Sequence, residues 1–208
     1  MIFYLSSYKI GNHPESLLAL FSENKSVGYI PNALDFTGAD PKRREMHVAS
    51  DMQSLADVGL QAEVLDLKNF FDKEDRLKEK LQSLGGIFIS GGNTFILRQA
   101  MRLSGLDTIL REYNKTQKDF VYAGYSAAGC VLSPSLRGYA IVDDPTDLPY
   151  SGQKETIWEG LGMIDYAFLP HFDSDHPESA DISKEVQYCI ENKIPYKTLK
   201  DGDALIFE

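Results

Sequence analysis

Residues 120–129 read FVYAGYSAAG, and this stretch decides the fold that the sequence predicts. The apolar run 120–124 predicts a buried strand, and the small residues after Ser126 predict the start of a helix. A nucleophilic serine on a sharp strand-to-helix turn needs small neighbours, because the backbone there is tight and strained. Such a turn lifts the Ser126 hydroxyl clear of the sheet and brings helix-start N–H groups beside it, where they can stabilise an oxyanion.

The match to a nucleophile turn is incomplete. In the Gly-x-Ser-x-Gly pattern the second glycine would fall at position 128, but Ala128 stands there and Gly129 follows. A tight strand–helix junction whose small residues serve only packing is therefore the alternative interpretation of this stretch taken alone.

Along the whole chain, short apolar runs alternate with longer amphipathic ones. The predicted strands are 2–5, 26–30, 63–67, 87–90, 120–124 and 165–169, and the predicted helices are 14–23, 40–57, 72–84, 94–103, 106–114 and 177–192. Residues 133–160 predict loops with short elements, and 196–199 with 204–207 predict a closing hairpin around the Asp201-Gly202-Asp203 turn. Strand–helix alternation predicts an α/β fold with a mostly parallel sheet and helices on both faces. We expect one domain spanning residues 1–208.

Composition narrows the function classes. The chain has 208 residues, 43% hydrophobic and 25% charged, which is typical of a globular protein. A net charge of -10 argues against nucleic-acid binding, which needs clustered Lys and Arg. The one basic cluster, Lys42-Arg43-Arg44, is interpreted as a solvated helix face.

The apolar pattern and the cysteines predict a cytoplasmic protein with no membrane contact. No apolar run approaches the roughly 18 residues of a membrane span, and no signal peptide precedes the strand-like start at Met1. Cys130 and Cys189 fall in apolar stretches and suit a reducing compartment. The sequence leaves open whether they form a disulfide. We expect a monomer or a homodimer.

A second glycine turn lies in residues 85–95, GGIFISGGNTF. A predicted strand runs into Gly91-Gly92-Asn93 at a helix start, where Asn93 can cap the helix and the Gly92 N–H can form half of an oxyanion hole. The alternatives are a plain strand–helix turn or a weak phosphate cradle. Since the turn lacks the Lys of a P-loop and the spacing of a dinucleotide fingerprint, no cofactor is expected.

Among the four histidines, His171 is the best candidate for a general base. It follows the predicted strand 165–169 and so lies at the sheet edge where this fold class binds ligands. His13 and His47 are expected on helix or loop surfaces, and His176 lies in the loop after His171. A half-buried structural histidine is one alternative. A zinc or manganese site is another, with His171, Asp173, Asp175 and His176 as ligands.

A catalytic triad also needs a carboxylate to orient the histidine. The candidates are Asp143, Asp144, Asp173, Asp201 and Asp203. Asp201 lies between the last two predicted strands, where it can reach back to His171, but Asp-Gly is also typical of a simple hairpin turn. The residues alone leave this choice open.

Four segments together resemble the peptidase E and cyanophycinase family of serine peptidases: 90–95, 124–127, 170–171 and 201–205. Their order and spacing agree with the family over nearly the whole chain. The resemblance implies a three-layer α/β/α fold related to class I glutamine amidotransferases (flavodoxin-like) and hydrolysis of short peptides. It implies Ser126 as nucleophile, His171 as base and the Gly92 and Ala127 N–H groups as oxyanion donors. Asp201 stands where the family usually has Glu.

One departure from the family concerns the substrate. Peptidase E holds an acidic substrate side chain with an Arg downstream of the histidine, but the matching stretch 178–185, ESADISKE, has none. A substrate with a neutral or basic group is therefore at least as well supported as one with an acidic side chain.

Two other functions are alternatives to a serine peptidase. One is an α/β-hydrolase-type esterase, whose acid would lie between Ser and His in the chain. The other is a non-catalytic module that binds ligands through the acidic loop 173–181.

Overall fold

The computed structural model describes all residues from 1 to 208. Its strands are β1 Ile2–Ser6, β2 Ser26–Ile30, β3 Gln61–Val64, β4 Gly86–Ile89, β5 Val121–Tyr125, β6 Ala167–Leu169, β7 Tyr196–Thr198 and β8 Ala204–Phe207. Its helices are α1 Pro14–Leu18, α2 Pro41–Val58, α3 Glu74–Gln82, α4 Thr94–Ser104, α5 Leu106–Thr116, α6 Ala127–Cys130 and α7 Ser179–Glu191.

Six strands form the main sheet, in the order β3-β2-β4-β5-β1-β8. The first five are parallel, and β8 joins the edge antiparallel to β1. The predicted α/β class with a mostly parallel sheet is therefore confirmed. β6 and β7 form a separate two-stranded parallel sheet.

The sheet is covered on both faces, because successive side chains of a strand point to opposite sides. On β1, Phe3 and Leu5 join the larger apolar core, whereas Tyr4 joins the smaller one. Leu17 of α1 and Leu55 of α2 pack into the smaller core, and α3 to α7 contribute to the larger. This is the three-layer α/β/α arrangement that the family resemblance implies.

The start and end of α2 follow the sequence signals. The Asp40 side chain accepts a hydrogen bond from the Lys42 N–H, and Pro41 occupies the first helical position. Gly59 ends the helix with a φ of 99°, a left-handed conformation that favours glycine. These signals fix where α2 begins and ends.

The predicted closing hairpin is wrong. Tyr196–Thr198 pairs in parallel with β6, whereas Ala204–Phe207 pairs with β1. The turn between them crosses from one sheet to the other and is tied to the carboxyl end of β1, where the Ser7 N–H donates to Asp203 O at 3.0 Å. A local turn signal cannot reveal this exchange, because the partner strands lie far away in the sequence.

Smaller differences concern element ends. The third strand is Gln61–Val64 rather than 63–67, because residues Leu67–Phe70 turn into a 3-10 helix capped by Asp66. The first helix ends at Leu18, five residues early. Residues 133–160 are mainly loop, with a 3-10 helix at Arg137–Ile141.

Two composition-based expectations can be compared with the structure. Cys130 and Cys189 are both buried and free, so the disulfide is not formed. None of the helices combines the length and the apolar character that a membrane crossing would require.

Candidate active site

Ser126 occupies a strained turn directly after β5. Its φ of 50° and ψ of -107° lie in a region that non-glycine residues seldom adopt. The Ser126 N–H donates to Ser6 O at 3.2 Å, and Ser126 O accepts from the N–H groups of Gly129 and Cys130 at 2.8 and 3.1 Å. The turn is thus fixed between β1 and α6, as the nucleophile pattern requires.

The departure from that pattern at Ala128 is accommodated by close packing at Gly124. A Cβ atom on Gly124 would lie 2.5 Å from Ile89 O and 2.6 Å from the Cβ of Ala128. Only glycine therefore fits at 124, and the methyl group of Ala128 fills the space beside it. Small residues on both sides of Ser126 let β4, β5 and α6 approach closely.

The second glycine turn lies beside the first, at the end of β4. Gly92 has a φ of 137°, and a Cβ there would lie 2.3 Å from Ala33 O. Asn93 caps α4 as predicted, since its Oδ1 accepts from the Phe95 and Ile96 N–H groups at 2.8 and 3.0 Å. No backbone carbonyl accepts a hydrogen bond from the Gly92 N–H, which is free to bond a ligand.

Two of the candidate acids support this glycine turn and do not reach His171. Asp143 Oδ2 accepts from the Thr94 N–H at 2.8 Å, and Asp144 O accepts from Asn93 Nδ2 at 3.0 Å. Burial raises the pKa of Asp143 to about 7, against the opposing effect of the Thr94 hydrogen bonds. The loop 133–160 therefore anchors the turn that carries Gly92.

His171 and Asp201 form a close pair, with His171 Nδ1 2.7 Å from Asp201 Oδ1. His171 follows β6 with a φ of 58° and is 2% exposed. The other two candidate acids lie elsewhere: Asp173 pairs with Lys200 at the surface, and Asp203 is exposed. Of the five candidate acids, only Asp201 contacts His171.

Ser7, which the sequence analysis missed, links the pair a second time. Its Oγ donates to Asp201 Oδ1 at 2.8 Å and accepts from the His171 N–H at 2.8 Å. The side chain is fully buried at the carboxyl end of β1. A serine after a strand carries no signal by itself, and its contacts exist only because β1 ends beside both the β6 loop and the 200–203 turn.

The environment of His171 favours the neutral imidazole. Burial lowers its pKa, the neighbouring His176 acts in the same direction, and Asp201 opposes both by a hydrogen bond and by its charge. Because Asp201 holds Nδ1, the other nitrogen, Nε2, is the one free to accept a proton. This is the state that a general base needs near neutral pH.

His176 stacks on His171, with ring centroids 3.8 Å apart and planes inclined by 9°. The Glu178 N–H donates to His176 Nδ1 at 3.3 Å, and Tyr8 packs edge-on against both rings. The imidazole of His171 is thereby held between a hydrogen-bonded carboxylate and a parallel ring.

His171, His176 and Glu178 are also the one group of side chains close enough to share a metal ion, with ligand atoms within 4.8 Å of one another. The stacked rings direct their in-plane nitrogen lone pairs side by side and not toward a common point. Both Nδ1 atoms already have partners. Asp173 and Asp175, expected as further ligands, do not join this group, so the geometry favours acid–base chemistry.

Ser126, His171 and the two glycines of the second turn line one cavity of about 740 Å³. This volume is within the range of small-molecule sites. No hydrogen bond joins Ser126 Oγ to His171, as is common for catalytic pairs before substrate is bound. Both side chains nevertheless face the same space, together with Gly91 and Gly92.

The opposite wall of the cavity is a face of α2 carrying Arg43, Arg44 and His47. Lys42 and Arg43 are exposed, as the interpretation of a solvated helix face predicts, but the sequence did not predict that Arg43 and Arg44 line the cavity. Arg44 is neutralised by Asp35, with Nη2 2.8 Å from Oδ1, whereas Arg43 forms no ion pair. The spacing of four residues between Arg43 and His47 puts both on one side of the helix.

A buried polar network lies behind this wall and was also missed. Asp51 accepts hydrogen bonds from the hydroxyls of Tyr29 and Tyr125, both at 2.8 Å, and from Lys9 Nζ at 2.6 Å. Burial acts to raise the pKa of Asp51, but the hydrogen bonds from His47 and Lys9 outweigh it and lower the pKa. Because Tyr125 precedes Ser126, the network also holds the Ser126 turn through the Tyr125 hydroxyl.

Comparison with known proteins identifies relatives over almost the whole chain. The sequence model of Peptidase family S51 matches residues 6–208. The chain is 26% identical over 179 residues to "Uncharacterized peptidase Lin0382" of Listeria innocua, and the aligned region covers 83% of this chain and 77% of that protein. It is 26% identical over 213 residues to "Peptidase E" of Streptomyces coelicolor, covering 92% of this chain and 80% of that protein.

Solved structures show the same fold. A crystal structure of a "Putative Peptidase E Protein from Listeria monocytogenes EGD-e" superimposes with a TM-score of 0.71 and 22% identity, covering 100% of this chain and 98% of that one. At this identity the likeness concerns the fold, and it agrees with the three-layer architecture described above.

Proposed function

The chain belongs to peptidase family S51 and is a serine-type peptidase, and we propose that it hydrolyses short peptides through an acyl-enzyme formed on Ser126. In this proposal His171 is the general base and Asp201 is the acid that orients it. One observation carries the proposal: the strained Ser126 turn and the buried His171, which is paired with Asp201, line the same cavity.

The proposed reaction has two steps. Ser126 Oγ attacks the scissile carbonyl while His171 Nε2 takes its proton, and the N–H groups of Gly92 and Ala127 stabilise the oxyanion. His171 then gives the proton to the leaving amine. A water molecule, activated by the same imidazole, hydrolyses the acyl-enzyme. The neutral state of His171 and the free Gly92 N–H support these roles.

The cavity supports a short substrate with charged ends. Its volume of about 740 Å³ suits a few residues and not an extended chain. Its walls carry both signs of charge, with Arg43 on α2 and Glu178 before α7. Two buried free cysteines suit a reducing compartment, and we therefore include a cytoplasmic location in the proposal.

The esterase hypothesis has no support from the contacts. It requires an acid between Ser126 and His171 in the chain, but Asp143 and Asp144 bond to the glycine turn. Labelling and turnover experiments distinguish a peptidase from a non-catalytic binding module.

The test is reaction with a fluorophosphonate probe between about pH 6 and 9, combined with turnover of a dipeptide library. Wild-type protein should be labelled at Ser126, and Ser126→Ala should lose labelling and all turnover while keeping its circular dichroism spectrum. Ser104→Ala is the matched control, because Ser104 is buried outside the cavity and its hydroxyl bonds only to the main chain of α4 and of Leu106. Full activity of Ser126→Ala would disprove the mechanism, and absence of labelling in folded protein would favour a binding module.

A further inference from the structure

A second cavity, of about 280 Å³, lies between α7, the 133–139 segment and β6. It shares no lining residue with the cavity that contains Ser126. Its wall is mostly apolar and includes Tyr139, Leu169, Tyr188 and Cys189. Asp165 and Lys193, both exposed, stand at its mouth with opposite charges. The cavity is thus a separate space with an apolar interior and a mouth of no net charge.

Glu185 forms part of this wall and is 1% exposed, yet neither of its carboxyl oxygens has a hydrogen-bond partner. The other buried polar groups of the wall are satisfied: Ser133 Oγ bonds to the Tyr139 hydroxyl at 2.7 Å, and that hydroxyl donates to Phe168 O at 3.0 Å. Leaving a buried carboxyl unpaired is costly. Glu185 is therefore the group in this cavity that needs a partner.

The surroundings keep the Glu185 carboxyl neutral. Burial raises its pKa to about 9, and the nearby charges of Asp143, Glu178 and Asp181 act in the same direction. Burial also raises the pKa of the two neighbouring thiols, Cys130 and Cys189. A neutral carboxyl presents one O–H donor beside one C=O acceptor. Its complement is a group with an acceptor beside a donor.

We propose that this cavity binds a small neutral molecule that has an apolar body and a primary carboxamide head, with the carboxamide paired to Glu185. A carboxamide accepts from the carboxyl O–H and donates to its C=O, so both oxygens are satisfied without burying a charge. An apolar cavity of about 150 Å³ already holds benzene. This larger one has room for a ring and its amide.

Benzamide is the probe, titrated into the full ¹⁵N-labelled chain and followed by amide chemical shifts. Binding should shift the amides of Ala167, Tyr188 and Cys189 and leave those of Gly91 and Gly92 unchanged. Glu185→Gln should bind with similar affinity, because its amide also offers a donor and an acceptor. Glu185→Met has a similar shape but no hydrogen bond and should bind roughly tenfold more weakly.

The pH dependence gives a second readout that needs no destabilising variant. Wild-type affinity should fall as pH rises through the pKa of Glu185, because only the protonated carboxyl complements the amide. Glu185→Gln cannot ionise and should lack this fall. The other titratable groups around the site are common to both proteins: Cys130, Tyr139, Asp143, Asp165, Tyr166, Glu178, Asp181, Tyr188, Cys189 and Lys193.

Several results would overturn the proposal. Unchanged affinity in Glu185→Met, shifts confined to the Ser126 cavity, or no saturable binding at millimolar benzamide would show that Glu185 does not bind a carboxamide and that the cavity holds solvent. Tighter binding of benzylammonium than of benzamide at pH 7 would make the site a cation site. None of these results bears on the peptidase proposal, which concerns the other cavity.

Discussion

His171 and Asp201 are joined twice, directly by the 2.7 Å contact between Nδ1 and Oδ1 and again through the hydroxyl of Ser7. The second link holds the main chain of His171 and the carboxylate of Asp201 to the end of β1. The pair is therefore positioned by the central sheet, although both residues lie in loops. Rigid support of this kind preserves catalytic geometry.

Replacing Ser7 with Ala should lower kcat while leaving the fold intact. The change removes one hydrogen bond to each member of the pair, and small misplacement of a catalytic group can cost up to roughly a hundredfold in rate. We expect a drop of about ten- to a hundredfold in kcat with little change in KM, measured on the best dipeptide substrate. Ser104→Ala, a buried serine outside the site, should keep wild-type kcat. An equal loss in both variants would mean that Ser7 serves stability alone.

Replacing Asp201 with Asn tests which acid acts on His171. Loss of the charge removes stabilisation of the imidazolium and can select the wrong tautomer, so kcat should fall by at least about a hundredfold. Asp173→Asn, which breaks only a surface pair with Lys200, should stay near wild type. A larger loss in Asp173→Asn than in Asp201→Asn would reassign the acid.

The pH dependence of kcat/KM should report the pKa of His171. Since that pKa is lowered by burial, activity should rise with an acidic midpoint below 6.5, the ordinary value. His176 contributes to the lowering, so His176→Gln should move the midpoint to higher pH. Asp201 opposes it, so Asp201→Asn should move the midpoint lower.

His13→Gln is the control for that experiment, because His13 is exposed and contacts only Glu15. The midpoint of this variant should equal that of the wild type, whether it is followed by turnover or by the rate of fluorophosphonate labelling. An unmoved midpoint in His176→Gln would show that the stacked ring does not influence the base.

Much of the fold, and several local features of the candidate site, could be predicted from the sequence because they depend on neighbouring residues. The Ser126 turn, the Asn93 cap and the end of α2 at Gly59 each depend on a few neighbouring residues, and small side chains or capping groups encode them. Ser7 and the Asp51 network could not be found this way. Their contacts join residues far apart in the chain, and neither has a local pattern.

The prediction of a closing hairpin was wrong for the same reason, because strand partners distant in the sequence decide the pairing. Residues 196–207 carry a proper turn signal, but strand pairing is decided by which edges are open, and here two different sheets offer one each. Arg43 is a related case: it is exposed, as the sequence predicts, but only the position of α2 beside the strand ends brings it to the cavity wall.

Replacing Arg43 with Ala should weaken the binding of acidic peptides. Arg43 is a cation in the cavity wall without an ion-pair partner, so it can bind a carboxylate of the substrate. We expect KM to rise about three- to tenfold for substrates with an acidic side chain and to change little for neutral ones, since exposed ion pairs are weak. Lys42→Ala, the neighbouring cation that does not line the cavity, is the matched control. Equal effects on acidic and neutral peptides would exclude a role in selectivity.

Replacing Glu185 with Gln should stabilise the protein increasingly as pH rises. The pKa of Glu185 is raised by burial to about 9 in the folded state, from an ordinary value of 4.5. Between these values the unfolded chain loses the proton that the folded chain keeps. Wild-type stability from this group is therefore fully present below about pH 4.5 and falls as pH rises toward 9.

Gln does not titrate, so the difference in the free energy of unfolding between Glu185→Gln and wild type should grow across that window by at most about 1.4 kcal/mol per pH unit. Urea denaturation at pH 5, 6, 7 and 8 measures it. Glu191→Gln, an exposed change on the same helix, should show no such trend. A pH-independent difference for Glu185→Gln would mean that the carboxyl is ionised inside the folded protein, and the neutral partner expected in the second cavity would then be excluded as well.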